Sequence, residues 1–334
     1  MTRQSLQEKT ALLKVENLHV EFDTYGGVVK AVRGVDFTVQ AGKTLAIVGE
    51  SGCGKSVSVH SIMGLIPMPP GRITKGTALL NGVDILGKKT IGDEDIRGSK
   101  VGMIFQDPMT SLNPTMTIGD QVAETLQVHR GFSHSRAFAR AIELLELVKI
   151  PDAAQRAKQY PFEFSGGMLQ RAMIAMAVAC GPSLLIADEP TTALDVTVQA
   201  QVLHLLKEVT HETGAALVII THDLGVVARY ADRVNVMYAG RIVEAGPARK
   251  IYNNPKHPYT VGLMNSVPRL DGDLDSALEP IEGQPPDLGN LPSGCAFHPR
   301  CVHAVERCSV ERPELITVEG EHVAACWVEI NATL

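Results

Sequence analysis

The chain has 334 residues, 45% hydrophobic but only 4% aromatic, so it can bury a sizeable core built from aliphatic side chains, alanine and methionine. A formal net charge of −6, with no basic run or aromatic-interleaved patch, argues against a nucleic-acid partner. No stretch approaches the roughly 18 apolar residues of a membrane span, and the polar first ten residues carry no signal region. The expectation is a cytosolic chain that reaches a membrane only by docking onto subunits that span it.

Residues 13–16, 19–22 and 35–39 alternate apolar and polar side chains and predict half-exposed strands. The β-prone run Thr44-Leu45-Ala46-Ile47-Val48 then leads into Gly49-Glu50-Ser51-Gly52-Cys53-Gly54-Lys55-Ser56. From Val57 to residue 66 the chain can continue as a helix. This is the G-x4-G-K-[ST] phosphate loop in its strand–loop–helix context. Its glycines let backbone N–H groups turn inward around an anion, and the helix N-terminus adds its positive end. Lys55 is placed for the β- and γ-phosphates and Ser56 for Mg²⁺. Residues 71–84 predict a hairpin that turns at Asn81-Gly82.

A strand over residues 101–105 is followed by Gln106, and residues 137–150 carry Ile142, Leu145 and Val148 at helical spacing, widened by Leu144 and Leu147. In Phe164-Ser165-Gly166-Gly167-Met168, Ser165 is a good N-cap and the two glycines expose backbone N–H groups at a helix start. One chain has no need of two γ-phosphate cradles, whereas a two-chain sandwich has. Met168, Met173 and Met176 read as core filler. The run Leu184-Leu185-Ile186-Ala187 predicts a buried parallel strand that delivers Asp188 to Mg²⁺ and Glu189 to an attacking water. Residues 196–213 form an amphipathic helix with Val198, Val202, Leu205 and Val209 on one face, closed by Gly214. Residues 215–220 predict a second buried strand, ending at His222, whose imidazole can bond a γ-phosphate and a water. Proline and glycine thicken from Gly246 onward and mark an appendage.

The phosphate loop, Gln106, Ser165-Gly166-Gly167, Asp188-Glu189 and His222 stand in the order found in ABC-transporter ATPase subunits, which the chain resembles over about residues 13–245. Thr192-Ala193-Leu194-Asp195 matches the D-loop of that family, while Phe164 and Met168 depart from its usual signature. The resemblance implies an α/β P-loop NTPase with an antiparallel β lobe, a helical insertion at about 107–180, and a small Cys-containing C-terminal extension. The nucleotide-binding domain is then 13–245 and the extension 246–334. ATP contacts are implied for Gly49, Ser51, Gly52, Cys53, Gly54, Lys55, Ser56, Val57, Gln106, Asp188, Ser165, Gly166, Gly167 and Asp195. Ser56, Gln106 and Asp188 are the implied Mg²⁺ ligands, and Lys55, Glu189 and His222 the catalytic groups. Phe22, with Tyr25 as second choice, is the implied adenine platform, against a reading of Phe22 as ordinary strand core. Residues 111–114 fall where the family contacts its membrane subunits.

The appendage narrows the resemblance. His257-Pro258-Tyr259-Thr260, with Leu263, Ser266 and Pro268, and Phe297-His298-Pro299-Arg300-Cys301 resemble the C-terminal region of oligopeptide/dipeptide importer ATPases. Nickel importers share much of this pattern, so a nickel or other solute importer stays open as cargo, as does a non-transport ABC ATPase. The implied setting is the cytoplasmic face of the cell (inner) membrane. The implied partners are a second, related ATPase chain, two permease subunits and an extracytoplasmic binding protein. Four of the six cysteines, Cys295, Cys301, Cys308 and Cys326, lie here at spacing C-x5-C-x6-C-x17-C. A cytosolic chain disfavours disulfides, and the spacing points to a metal without choosing one. The resemblance implies a [4Fe–4S] cluster on these four thiolates, with zinc and metal-free thiols as competing readings. Cys53 and Cys180 belong to the ATPase core and are not expected as ligands.

Overall fold

The structure, a computed structural model, describes residues 11–86, 96–192, 194–266 and 281–330. Ala193 and Pro268, quoted above within motifs, lie outside the described residues. In chain order the principal elements begin with β1 (Ala11–Thr24), β2 (Gly27–Gln40), β3 (Thr44–Val48), α1 (Lys55–Ile62), β4 (Gly71–Leu80), β5 (Val83–Asp84) and β6 (Val101–Ile104). They continue with α2 (Ile118–Arg130), α3 (His134–Leu147), α4 (Gly166–Val178), β7 (Leu184–Asp188), α5 (Val196–Thr213) and β8 (Ala216–Thr221). The remainder are β9 (Arg233–Tyr238), β10 (Arg241–Pro247), α6 (Pro258–Asn265), β11 (Ile316–Glu319) and β12 (His322–Ala324). These gather into two compact units, one of residues 1–12, 39–44 and 87–220, the other of residues 13–38, 45–86 and 221–334.

In the first unit β6, β7 and β8 are parallel neighbours in that order, pairing Val101 with Leu184 and Leu184 with Ala216. Every residue of β7 and β8 is buried, as unbroken apolar runs covered on both faces must be. Four helices of this unit start on side chains that satisfy orphan N–H groups: Thr117 caps α2, Ser133 caps α3, Ser165 caps α4 and Asp195 caps α5. Gly131, at φ 64°, closes α2 in the left-handed conformation. The apolar face of α5 buries Val202, Leu205 and Val209, with Val198 half-buried. Of the three methionines near α4, Met173 is buried, and Met168 and Met176 are half-buried.

In the second unit a four-stranded antiparallel sheet has the order β2-β1-β4-β5. The turn from β4 to β5 sits at Asn81 (φ 50°) and Gly82 (φ 80°), the left-handed pair that a two-residue hairpin needs. The three short strands expected here are two long ones of 14 residues each, because β1 runs through an irregularity at Asn17 (φ 48°) instead of stopping there. The helix expected to reach residue 66 ends at Ile62, since Gly64 turns left-handed (φ 63°) just beyond it. Elsewhere in this unit β3 and β9 are parallel neighbours, while β9, β10, β12 and β11 follow antiparallel. The appendage therefore adds two strands beside β10, with Glu244 facing Ala324 and Ala245 facing Val323.

Candidate functional site

Within the second unit, β3 is buried from Leu45 to Val48 and launches the phosphate loop. Two of its glycines are required by close approach. A Cβ on Gly49 (φ 156°) would stand 2.2 Å from the Met237 carbonyl oxygen, and one on Gly54 (φ 101°) 2.3 Å from that of Ala31. Gly54 is the left-handed residue from which α1 departs, so the loop amides and the helix N-terminus converge. The Lys55 side chain lies inside the curl, the residue being 4% exposed. Its Nζ donates to the carbonyls of Gly49 (2.8 Å) and Glu50 (2.9 Å). A buried ammonium within a glycine-rich loop at a helix N-terminus suits a polyanion. Cys53 lines it as a buried thiol that burial pushes upward in pKa, so it packs as a neutral group despite the neighbouring Lys55.

Within the first unit, β7 delivers Asp188, 4% exposed, to its C-terminal edge. Glu189 follows at φ 46°, a strained conformation for a non-glycine residue of the kind that gathers at working sites, and its N–H donates to the Ile220 carbonyl at 2.9 Å. Its Oε2 accepts from Thr192 Oγ1 at 2.8 Å and from Gln106 Nε2 at 3.3 Å. Two donors on one oxygen fix the carboxylate's orientation, which a general base needs for proton transfer. Ser165 accepts from the Met168 N–H at 3.4 Å, and Ser165 and Gly166 are both exposed at the start of α4. Asp195 caps α5 by accepting from the Val198 N–H at 3.0 Å.

Residues 32–192 match the ABC transporter family model, and residues 243–308 match that of the oligopeptide/dipeptide transporter C-terminal region. The chain is 52% identical over 319 residues to the dipeptide transport ATP-binding protein DppD of Bacillus subtilis, a match covering 95% of each chain. It is 50% identical over 331 residues to the oligopeptide transport ATP-binding protein OppD of Salmonella typhimurium, covering 99% of this chain and 98% of that one. The chain belongs to this family of ABC transporter ATP-binding proteins. Among solved structures it is similar to a dimeric bacterial ABC transporter cassette (TM-score 0.63, 28% identity, covering 71% of this chain and 99% of that one). It is also similar to cbiO1 of Clostridium perfringens, part of the ABC transporter complex cbiONQ (TM-score 0.62, 27% identity, covering 73% of this chain and 91% of that one). The fold is thus that of an ABC ATPase cassette, a P-loop NTPase, and the protein is an ABC-type ATPase.

In this ABC ATPase, Gly49, Ser51, Gly52, Cys53, Gly54, Lys55, Ser56 and Val57 lie together in the second unit, as do Phe22, Tyr25 and His222. Phe22 is a half-buried residue of β1, whereas Tyr25 stands fully exposed in the turn between β1 and β2. Gln106, Ser165, Gly166, Gly167, Asp188, Glu189 and Asp195 belong to the first unit, where Gln106 and Glu189 meet directly. Sequence reasoning missed Thr192 as the second donor to Glu189. Its only signal was a hydroxyl three residues after the acid. The loop in the second unit fits a nucleotide's phosphates by the groups it holds, a buried ammonium and a glycine-rich backbone, with the Ser56 hydroxyl suited to Mg²⁺; Asp188 of the first unit supplies a carboxylate of the kind such an ion takes.

The [4Fe–4S] expectation is overturned. Among the described residues no group of three or more His, Cys, Asp or Glu side chains is arranged to hold a metal ion. Cys295, Cys301, Cys308 and Cys326 are free thiols that line a cavity with Phe297, Pro313 and Trp327. Burial pushes Cys295 and Cys326 up in pKa and Cys301 up to about 11. The cluster had been implied by the resemblance, not chosen by the spacing of the cysteines.

Proposed function

We propose that this ATPase energises a membrane importer of dipeptides or oligopeptides. The observation that carries the cargo class is the match of residues 243–308 to the oligopeptide/dipeptide transporter C-terminal region, and relatives named for dipeptide and oligopeptide transport support it. No helix among the described residues is long and apolar enough to cross a membrane, which suits a peripheral subunit docked on two permeases at the cytoplasmic face. A second, related ATPase chain and an extracytoplasmic binding protein complete the assembly in this reading. The cassette is taken as residues 13–245 and the extension as 246–334.

Roles follow the motifs residue by residue. Gly49 to Val57 bind the phosphates of ATP, with Phe22 or Tyr25 under the base. Ser56, Gln106 and Asp188 hold Mg²⁺, which supplies charge neutralisation on the phosphates when bound. Glu189, held by Thr192 and Gln106, accepts the proton of the attacking water, and His222 steadies the γ-phosphate. Ser165, Gly166, Gly167 and Asp195 serve the ATP of the partner chain, since a second exposed helix N-terminus has no other use in one cassette. Most of the rate then comes from positioning and water exclusion.

The test is uptake of radiolabelled di- and oligopeptides by cells carrying Glu189→Gln on the chromosome. Loss of peptide uptake at normal expression is the expected result. Intact peptide uptake would remove the peptide assignment and point to nickel or another solute.

A further inference from the structure

The two sequence patterns that mark the appendage converge on a single residue of the phosphate loop. Tyr259, from His257-Pro258-Tyr259, is 0% exposed, and its hydroxyl accepts the backbone N–H of Glu50 at 2.8 Å. Arg300, from Phe297-His298-Pro299-Arg300, meets the Glu50 carboxylate with both terminal nitrogens, at 2.7 Å to Oε2 and 2.9 Å to Oε1. The Arg300 side chain is 5% exposed. Its remaining donors are also engaged: Nε on the Glu282 carbonyl at 3.0 Å, and the terminal nitrogens on the Ile281 carbonyl at 3.3 Å and the Tyr238 hydroxyl at 3.4 Å. A planar fork saturated on every side has one orientation, so the carboxylate it grips has one as well. Tyr238, Tyr259 and Phe297 pack their rings 4.5 to 5.4 Å apart around this contact and fix the tyrosine hydroxyl.

Glu50 is thereby held at each of its polar groups. The appendage takes its N–H and its carboxylate, and its carbonyl accepts Lys55 Nζ at 2.9 Å. A short chain of directional bonds therefore runs from the appendage through one peptide unit to the lysine of the phosphate loop. Nothing in a G-x4-G-K-[ST] loop requires an acid at Glu50, next to where a polyanion must sit. A fully paired acid resolves that conflict.

We propose that Arg300 and Tyr259 are positioning residues of the nucleotide site, which set Glu50, and through it Lys55 and the loop amides, in the phosphate-accepting conformation. This rests on the reading of Gly49 to Ser56 as the ATP phosphate site. The appendage is then a working part of ATP binding, and a phosphate loop released from it spends only a fraction of its time competent.

The test is titration of the full chain with a fluorescent ATP analogue and Mg²⁺, for wild type, Arg300→Gln, Arg300→Lys, Tyr259→Phe, Glu50→Gln, the Glu50→Gln/Arg300→Gln pair and Lys55→Ala. A loop that is competent a tenth of the time binds about tenfold more weakly, and that is the loss expected for Arg300→Gln. Arg300→Lys restores part of it. The Glu50→Gln/Arg300→Gln pair is no weaker than Arg300→Gln alone, because both changes break one bond chain. Glu50→Gln and Tyr259→Phe, which leave the guanidinium packed, keep the question open to measurement if Arg300→Gln fails to fold. Wild-type affinity in Glu50→Gln, Tyr259→Phe and any folded Arg300 variant, with binding lost in Lys55→Ala, overturns the proposal and leaves the phosphate site standing. Wild-type affinity in Lys55→Ala overturns the phosphate-site reading, and the proposal with it.

Discussion

At Glu189 the local geometry makes a sharp forecast. Its carboxylate is held by Thr192 and Gln106 on one oxygen, and its backbone sits at φ 46°. Glu189→Gln keeps a hydrogen-bonding oxygen of the same shape but cannot accept a proton, so turnover should fall at least about a hundredfold while ATP binding persists. Steady-state phosphate release beside nucleotide titration separates the two, and unchanged release would remove Glu189 as the base. Lys55→Ala should instead lose nucleotide affinity, since it empties the cradle of its buried cation. These residues were legible because short-range spacing encodes their chemistry: four of the eight phosphate-loop positions are set by residue type alone. Arg300 was visible only as a family mark, because its bond to Glu50 joins positions 250 residues apart. The cysteines misled for the converse reason, their number being plain in sequence and their apolar surroundings not.

Elements were legible where one residue decides them. Asn81-Gly82 placed its hairpin turn, Ser165 its helix start and Gly214, at φ 71°, the end of α5. Strands β11 and β12 went unseen because they are only four and three residues long, too short for a period-2 pattern to stand out. Helix α6 carries an unusual cap with a pH consequence. His257 is buried, its Nδ1 accepts the Tyr259 N–H at 3.1 Å, and its backbone N–H donates to Glu244 Oε2 at 3.0 Å. Burial lowers its pKa to about 4 against an opposing pull from Glu244, so the folded state holds the imidazole neutral. The unfolded chain takes up that proton near pH 6.5, hence the folded state gains nothing from His257 below about pH 4 and its full share above pH 6.5. Denaturant midpoints should therefore fall as pH drops from 6.5 toward 4, by up to roughly 3 kcal/mol from this residue. His257→Asn retains a capping oxygen without a titrating ring and should flatten that slope; an unaltered slope would mean His257 is not its source.

For the whole molecule the decisive feature is the division of chemistry between one chain and the next. Two helix N-termini here are suited to phosphate, one behind Gly54 with a buried lysine and one behind Ser165, and the second lies exposed. A helix start that faces outward is suited to a nucleotide held by another molecule, as the two-chain sandwich requires. Ser165→Asp tests this without disturbing the helix, because aspartate caps an N-terminus as well as serine does. The new carboxylate would face phosphate oxygens only if a second chain brings them there. In an assembly where this chain also carries Glu189→Gln, any remaining turnover belongs to the partner's site. Ser165→Asp should then lower that remainder about tenfold or more, the scale of removing one aligned donor and adding a repelling charge. ATP binding by this chain, measured alone, should stay at the wild-type level, because Ser165 makes no contact with its own phosphate loop in this scheme. Loss of binding in this chain with the partner's turnover intact would place the signature in cis and end the sandwich reading.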